Sequence, residues 1–284
     1  MFDQGPNRAF AFYGITLGLA VLVAVAAPVL GEASPLVTMF TPAIAAIIML
    51  AFVAPEGTHR GVLRKLGLTT AGLKGWTLAV GAPFAIHALG LALLVWAGLT
   101  VLAMPEMTGS AAKTTFKILT GLVISTLFAM CEEVGWRGYM LPRMTGFRIT
   151  SAMLIVGFLH GLWHLPILLT TDYYHSTGNP WIVAPLFLIT LTLAGIFYGF
   201  LRVWTGSVWP VAIAHAAANM AWGISSEMSK TQSPVVLEYV GGESGAILIG
   251  GLLIIDALLI LAMRRRGLLV VVAPIATSVR PSSS

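Results

Sequence analysis

Eight long apolar runs limit what this chain can become. They fall at about residues 9–30, 36–54, 76–103, 116–139, 150–170, 182–201, 207–224 and 245–263. A bilayer core needs roughly 20 predominantly apolar residues per helix. Backbone that crosses lipid must also satisfy its own hydrogen bonds, which a helix does and an open loop does not. The sequence therefore predicts an all-α fold, a polytopic transmembrane helix bundle of about eight spans. Hydrophobic residues make up 57% and charged residues 10% of the chain, whereas soluble domains run about a quarter charged.

The remaining composition narrows the function classes. The first apolar run is too long for a signal peptide, and no charged leader with a small-residue cleavage site precedes it. One cysteine, Cys131, excludes an intrachain disulfide and a cysteine-built zinc site. The pI near 9.6 raises the question of nucleic acid, but the basic residues are spread over loops, so no nucleic-acid partner is expected. No internal repeat is visible, which leaves a transporter with two related halves unsupported. The third run carries Pro83, a point for a kink. Between the second and third runs, PEGTHRGVLRKLGLTTAGLKG reads as a basic, amphipathic segment resting on the membrane surface. The tail beyond Arg266 is expected to be loose.

Lysines and arginines in alternate loops set the orientation. One side holds Arg8, Arg60, Arg64, Lys65, Lys74, Arg143, Arg148, Arg202, Arg264, Arg265, Arg266 and Arg280. The other holds Lys113, Lys117 and Lys230. This places both termini in the cytoplasm.

Ionisable residues inside a span cost roughly 2.5–3.5 kcal/mol each to insert, so each needs a reason. Three constellations stand out. In Cys131-Glu132-Glu133-Val134-Gly135-Trp136-Arg137, Glu133 and Arg137 are four apart and share one helix face, where they can pair. Glu132 points about 100° away, so one carboxylate can be structural while its neighbour works. The alternative is that all three snorkel at a membrane interface. In His160-Gly161-Leu162-Trp163-His164-Leu165-Pro166, two histidines again share a face. In His215-Ala216-Ala217-Ala218-Asn219, a histidine and an amide flank three alanines. That pattern serves either close helix packing or a pair of donors aimed at one oxygen. His87 and Asp256 are isolated and are read as structural.

These three pieces, in this order, resemble the CAAX-protease and bacteriocin-processing (CPBP, or ABI) family of intramembrane glutamic endopeptidases, which includes the type II CAAX prenyl endopeptidases. Glu132, Glu133 and Arg137 match its EExxxR motif. His164 matches the histidine of the second motif, although His160 stands where the family has an aromatic residue. His215 and Asn219 match the third motif. The resemblance covers about residues 115–225. It divides the chain into N-terminal membrane helices with the basic segment (1–115), a core carrying the chemistry (116–225), and a last helix with a cytoplasmic tail (226–284).

The resemblance implies an endopeptidase that hydrolyses a peptide bond with Glu-activated water and no cofactor. Glu132 would be the general base, with His164 holding the water. His215 and Asn219 would donate to the oxyanion, while Glu133 and Arg137 brace the helix and His160 supports the site. The substrate would be a peptide or lipid-modified protein in the membrane, reached through a cavity open to lipid or cytosol. The wording of the first motif suggests a bacterial plasma membrane, and oligomeric state is not legible. Two other readings compete. One is a zinc metallopeptidase with Glu132, His164 and His215 as ligands. The other is a catalytically silent membrane scaffold or immunity protein.

Overall fold

The computed structural model describes residues 5–53, 58–103, 110–173, 178–231 and 233–273. The fold is an all-α bundle. Its long helices are α1 (Gly5–Leu30), α2 (Ser34–Ile48), α4 (Trp76–Trp96), α5 (Ala111–Glu133), α6 (Ile149–Thr170), α7 (Pro180–Thr205), α8 (Trp209–Glu227) and α10 (Ala246–Arg265). Two short helices complete the set, α3 (His59–Leu66) and the single turn α9 (Pro234–Val236).

Among the described residues, six stretches are long and apolar enough to cross a membrane: Gly5–Val53, Leu73–Trp96, Ala112–Arg143, Ile149–Thr170, Pro180–Thr205 and Glu238–Arg265. The first contains both α1 and α2, which pack against each other across the turn Gly31–Ala33. The expected seventh span, α8, is not among the six. The reason is its place in the bundle. It packs against α4, α5 and α7, and every residue from Pro210 to Ala217 is buried. Where other helices wall it off, it need not be apolar all round, so it can carry polar residues that a lipid-facing helix excludes.

Close backbone contact fixes α6 against α7. A Cβ on Gly157 would lie 2.5 Å from the Leu191 carbonyl oxygen and 2.8 Å from that of Thr192. One on Gly195 would strike the Met153 carbonyl. Small residues at such crossings let helices approach where lipid gives no hydrophobic drive to associate.

Three expectations change. The third run ends as a helix at Trp96, and its next ordered piece, β1 (Val101–Leu102), pairs antiparallel with β2 (Ser229–Lys230). The basic segment, whose residues 54–57 lie outside those described, is docked on the bundle. Val208 N–H donates to the Gly67 carbonyl at 3.1 Å, and Arg202 donates from Nη2 to the Lys65 carbonyl at 2.9 Å. The chain just beyond Arg266 is also tied down, with Ile149 N–H donating to the Val270 carbonyl at 2.9 Å and Val272 N–H to the Phe147 carbonyl at 2.9 Å. The rest of the tail, 274–284, lies outside the described residues.

The basic side chains gather at one end of the bundle. Lys74 Nζ and the Arg266 guanidinium both lie over the Trp204 ring, 5.7 and 5.6 Å from its centroid. Arg143 is counted with the loops by sequence but is 2% exposed, donating to the Tyr139 carbonyl at 2.6 Å and lying over its own neighbour's ring.

Candidate active site

Helix α5 does not stop at its two glutamates. It widens into a π-helix over Val134–Met140 and then tightens to a 3₁₀ turn at Leu141–Arg143. Such π segments often mark functional sites, and nothing in the periodicity announced this one. The two glycines of the GWRG phrase admit neighbours. A Cβ on Gly135 would meet Pro42 Cβ at 2.6 Å, and one on Gly138 would meet the Leu66 carbonyl oxygen at 3.1 Å. Helices α2 and α3 therefore press directly on this turn and close its end. Glu132, Glu133 and Arg137 are 2%, 0% and 1% exposed, so interfacial snorkelling is ruled out.

The buried charges form a connected network. Arg137 Nη1 lies 3.1 Å from each oxygen of Glu133, which is the expected pairing. The same nitrogen lies 3.1 Å from His160 Nδ1. A guanidinium can only donate, so His160 Nδ1 accepts, and its hydrogen sits on Nε2. From there it donates to Glu132 Oε2 at 2.9 Å. Glu132 is thus oriented by a histidine whose tautomer Arg137 fixes. His160 lies between Trp136 and Trp163, with ring centroids 5.0 and 5.7 Å away. It therefore packs as an aromatic ring while also serving as a donor.

The other two histidines are fixed by the same logic. His164 Nδ1 lies 3.1 Å from the His160 carbonyl oxygen. Carbonyls only accept, so Nδ1 carries the hydrogen. In the neutral ring, Nε2 is then the acceptor nitrogen. His215 Nδ1 lies 2.9 Å from Glu133 Oε1, and its ring stacks on Tyr198 at 5.8 Å and 17°. Tyr198 also lies under the Arg137 guanidinium, 4.9 Å away. Glu133 is therefore shared between Arg137 and His215.

All of this borders one cavity of about 330 Å³. Glu132, His160, His164, His215 and Asn219 all line it, while Glu133 and Arg137 sit behind. His160, one turn nearer the start of α6, meets Glu132, and His164 lies a turn deeper. The lining residues with the greatest exposure include Leu36 at the start of α2 and Tyr173 just past α6. Both lie at the end away from the basic cluster, whereas Asn219, also exposed and lining the cavity, lies midway along α8. At the basic end, Trp136, Tyr139 and Met140 are wholly buried.

Among the lining carboxylates and imidazoles, sequence reasoning missed two. His87 on α4 was read as structural, and Glu243 lies two residues before the drawn start of the last span. A carboxylate within one turn of an apolar run was the available signal. Asp256 is 3% exposed, and neither carboxyl oxygen has a hydrogen-bond partner among the described residues. It does not line the cavity.

A helical membrane bundle that holds two carboxylates, four imidazoles and an amide around an internal chamber has the makings of an intramembrane hydrolase. Residues 114–221 match the family model described as type II CAAX prenyl endopeptidase Rce1-like. The match supports a peptidase related to that family, and the six apolar helices support an integral membrane protein. No curated protein matches the chain.

Proposed function

We propose that this protein is a metal-independent intramembrane endopeptidase that cleaves a membrane-associated protein by direct attack of water. The observation that carries the reading is the directed chain Arg137 to His160 to Glu132 at the wall of a chamber shared with His164, His215 and Asn219. Glu132 takes a proton from water as the water attacks the peptide carbonyl, and His164 accepts the water's other hydrogen through Nε2. Asn219 supplies an amide donor to the oxyanion. His215 can donate from Nε2 only when protonated, because Nδ1–H is already given to Glu133. It is better suited to passing a proton to the departing amine, with Glu133 orienting the ring as a carboxylate does in other His-based sites.

A metallopeptidase is the second reading, because Glu132, His160 and His164 offer ligand atoms within 4.8 Å of one another. The set differs from the one expected from sequence, since His215 is turned to Glu133. The donor chemistry is unfavourable. Metal ligation through His160 Nε2 needs its lone pair there and a hydrogen on Nδ1, where Arg137 already donates. Purified enzyme in detergent should therefore keep full peptidase activity through prolonged dialysis against EDTA. Loss of activity, restored by one equivalent of zinc, would favour the metal reading instead.

With the basic end in the cytoplasm, Leu36 and Tyr173 lie toward the opposite side of the membrane. In a Cys131→Ser background, Tyr173→Cys should react with a membrane-impermeant maleimide in intact cells, and Lys74→Cys only after permeabilisation. The reverse pattern would invert the orientation.

A further inference from the structure

The chamber has a second wall that belongs to no motif, and its unused groups share one chemical character. Glu243 lines the cavity and has no hydrogen-bond or ion-pair partner among the described residues. His87 lines the same cavity and is 8% exposed. Its Nδ1 lies 3.0 Å from the Pro83 carbonyl oxygen, which can only accept, so Nδ1 carries the hydrogen. In the neutral ring, Nε2 then keeps its lone pair, and this buried nitrogen has no partner among the described residues. Both spare groups on this wall are acceptors. Among the lining residues, the charged side chains besides the histidines are Glu132 and Glu243, and none is lysine or arginine.

A chamber built this way suits an occupant that brings donors and positive charge. We propose that Glu243 forms a specificity subsite of this chamber that receives a lysine or arginine side chain of the substrate. The apolar remainder of the wall, including Ile86, Leu248 and Leu252, covers the aliphatic stem of such a side chain, as apolar surfaces commonly do. The subsite rests on the peptidase reading only for the statement that its ligand is a peptide.

The test uses the full chain in lipid nanodiscs with Glu132→Gln, so that binding is read without turnover. The probes are two fluorescent nine-residue alanine-leucine peptides, blocked at both ends. One has a central arginine, and the other has citrulline, its neutral isostere, at the same place. Fluorescence anisotropy should show the arginine peptide binding about tenfold more tightly, the scale of one charge-assisted contact. Adding Glu243→Gln should shrink the preference to about twofold or less, while adding Glu243→Asp retains part of it. Equal binding of the two peptides, binding of neither, or a preference that survives Glu243→Gln would overturn the subsite. Hydrolysis of the same pair by the wild type separates the two ideas. Discrimination in binding without cleavage supports the subsite and removes the peptidase reading. Cleavage of both peptides at equal rates removes the subsite and leaves the peptidase.

Discussion

Glu132→Gln should lower the rate of peptide cleavage by about 10²–10⁴-fold, the range spanned by loss of a positioned general base, while leaving the fold intact. The substitution is isosteric. The amide oxygen can still accept the hydrogen that His160 Nε2 gives to Glu132 Oε2 over 2.9 Å, so no buried donor is orphaned. What disappears is the ability to take a proton from water. Cleavage of a membrane-presented peptide, followed by mass spectrometry of the new termini, measures the loss; circular dichroism and thermal unfolding in the same detergent check the fold. Undiminished cleavage would remove Glu132 from the mechanism. Full complementation of a deletion strain by the inactive variant would point instead to the silent scaffold. A comparison of membrane-protein termini between cells carrying wild type and variant would also reveal the natural substrate.

Arg137→Met should destabilise the protein by about 3–5 kcal/mol, the usual cost of removing one partner of a buried ion pair. Arg137 is 1% exposed and Glu133 is 0% exposed, so no water can reach the carboxylate to replace the lost guanidinium. His215 remains beside Glu133 at 2.9 Å but holds only one of its oxygens. The same change releases His160, whose Nδ1 no longer receives a donor, so the ring can adopt the other tautomer and cease to orient Glu132. Activity should therefore fall along with stability. The double variant Arg137→Met, Glu133→Gln should recover much of the lost stability, because it removes the uncompensated charge, yet stay poorly active because His215 loses its carboxylate. Unfolding in mixed detergent and SDS reads the stability of all three proteins. A single variant as stable as wild type would show that the pair carries no net structural weight.

The comparison of sequence with structure divides along the range of the interactions concerned. The Glu133–Arg137 pair was legible because both partners lie on one helix, four residues apart, and local geometry alone brings them together. The bond from His160 to Glu132 was not legible. It joins residues 28 apart, and the freedom expected for Glu132 gave way to a specific donor. His160 looked like a departure from an aromatic position. Packed between Trp136 and Trp163, it fills the aromatic place and adds a hydrogen bond. The pairing of His215 with Glu133 spans 82 residues and changes what that histidine can donate. His87 was passed over because nothing beside it in the chain is polar, and only the packing of α4 against α8 brings it to the chamber.

Hydropathy by itself determined that this chain is a bundle of membrane helices, because lipid admits little else, and the order of its three polar motifs pointed to the peptidase family. Tertiary structure decided the remaining points: which carboxylate is braced and which is oriented, and where each imidazole carries its hydrogen. Those properties depend on donors and acceptors meeting across different helices. Their encounter is set by how the helices pack, as at the Gly157–Gly195 crossing, and no single span contains that information.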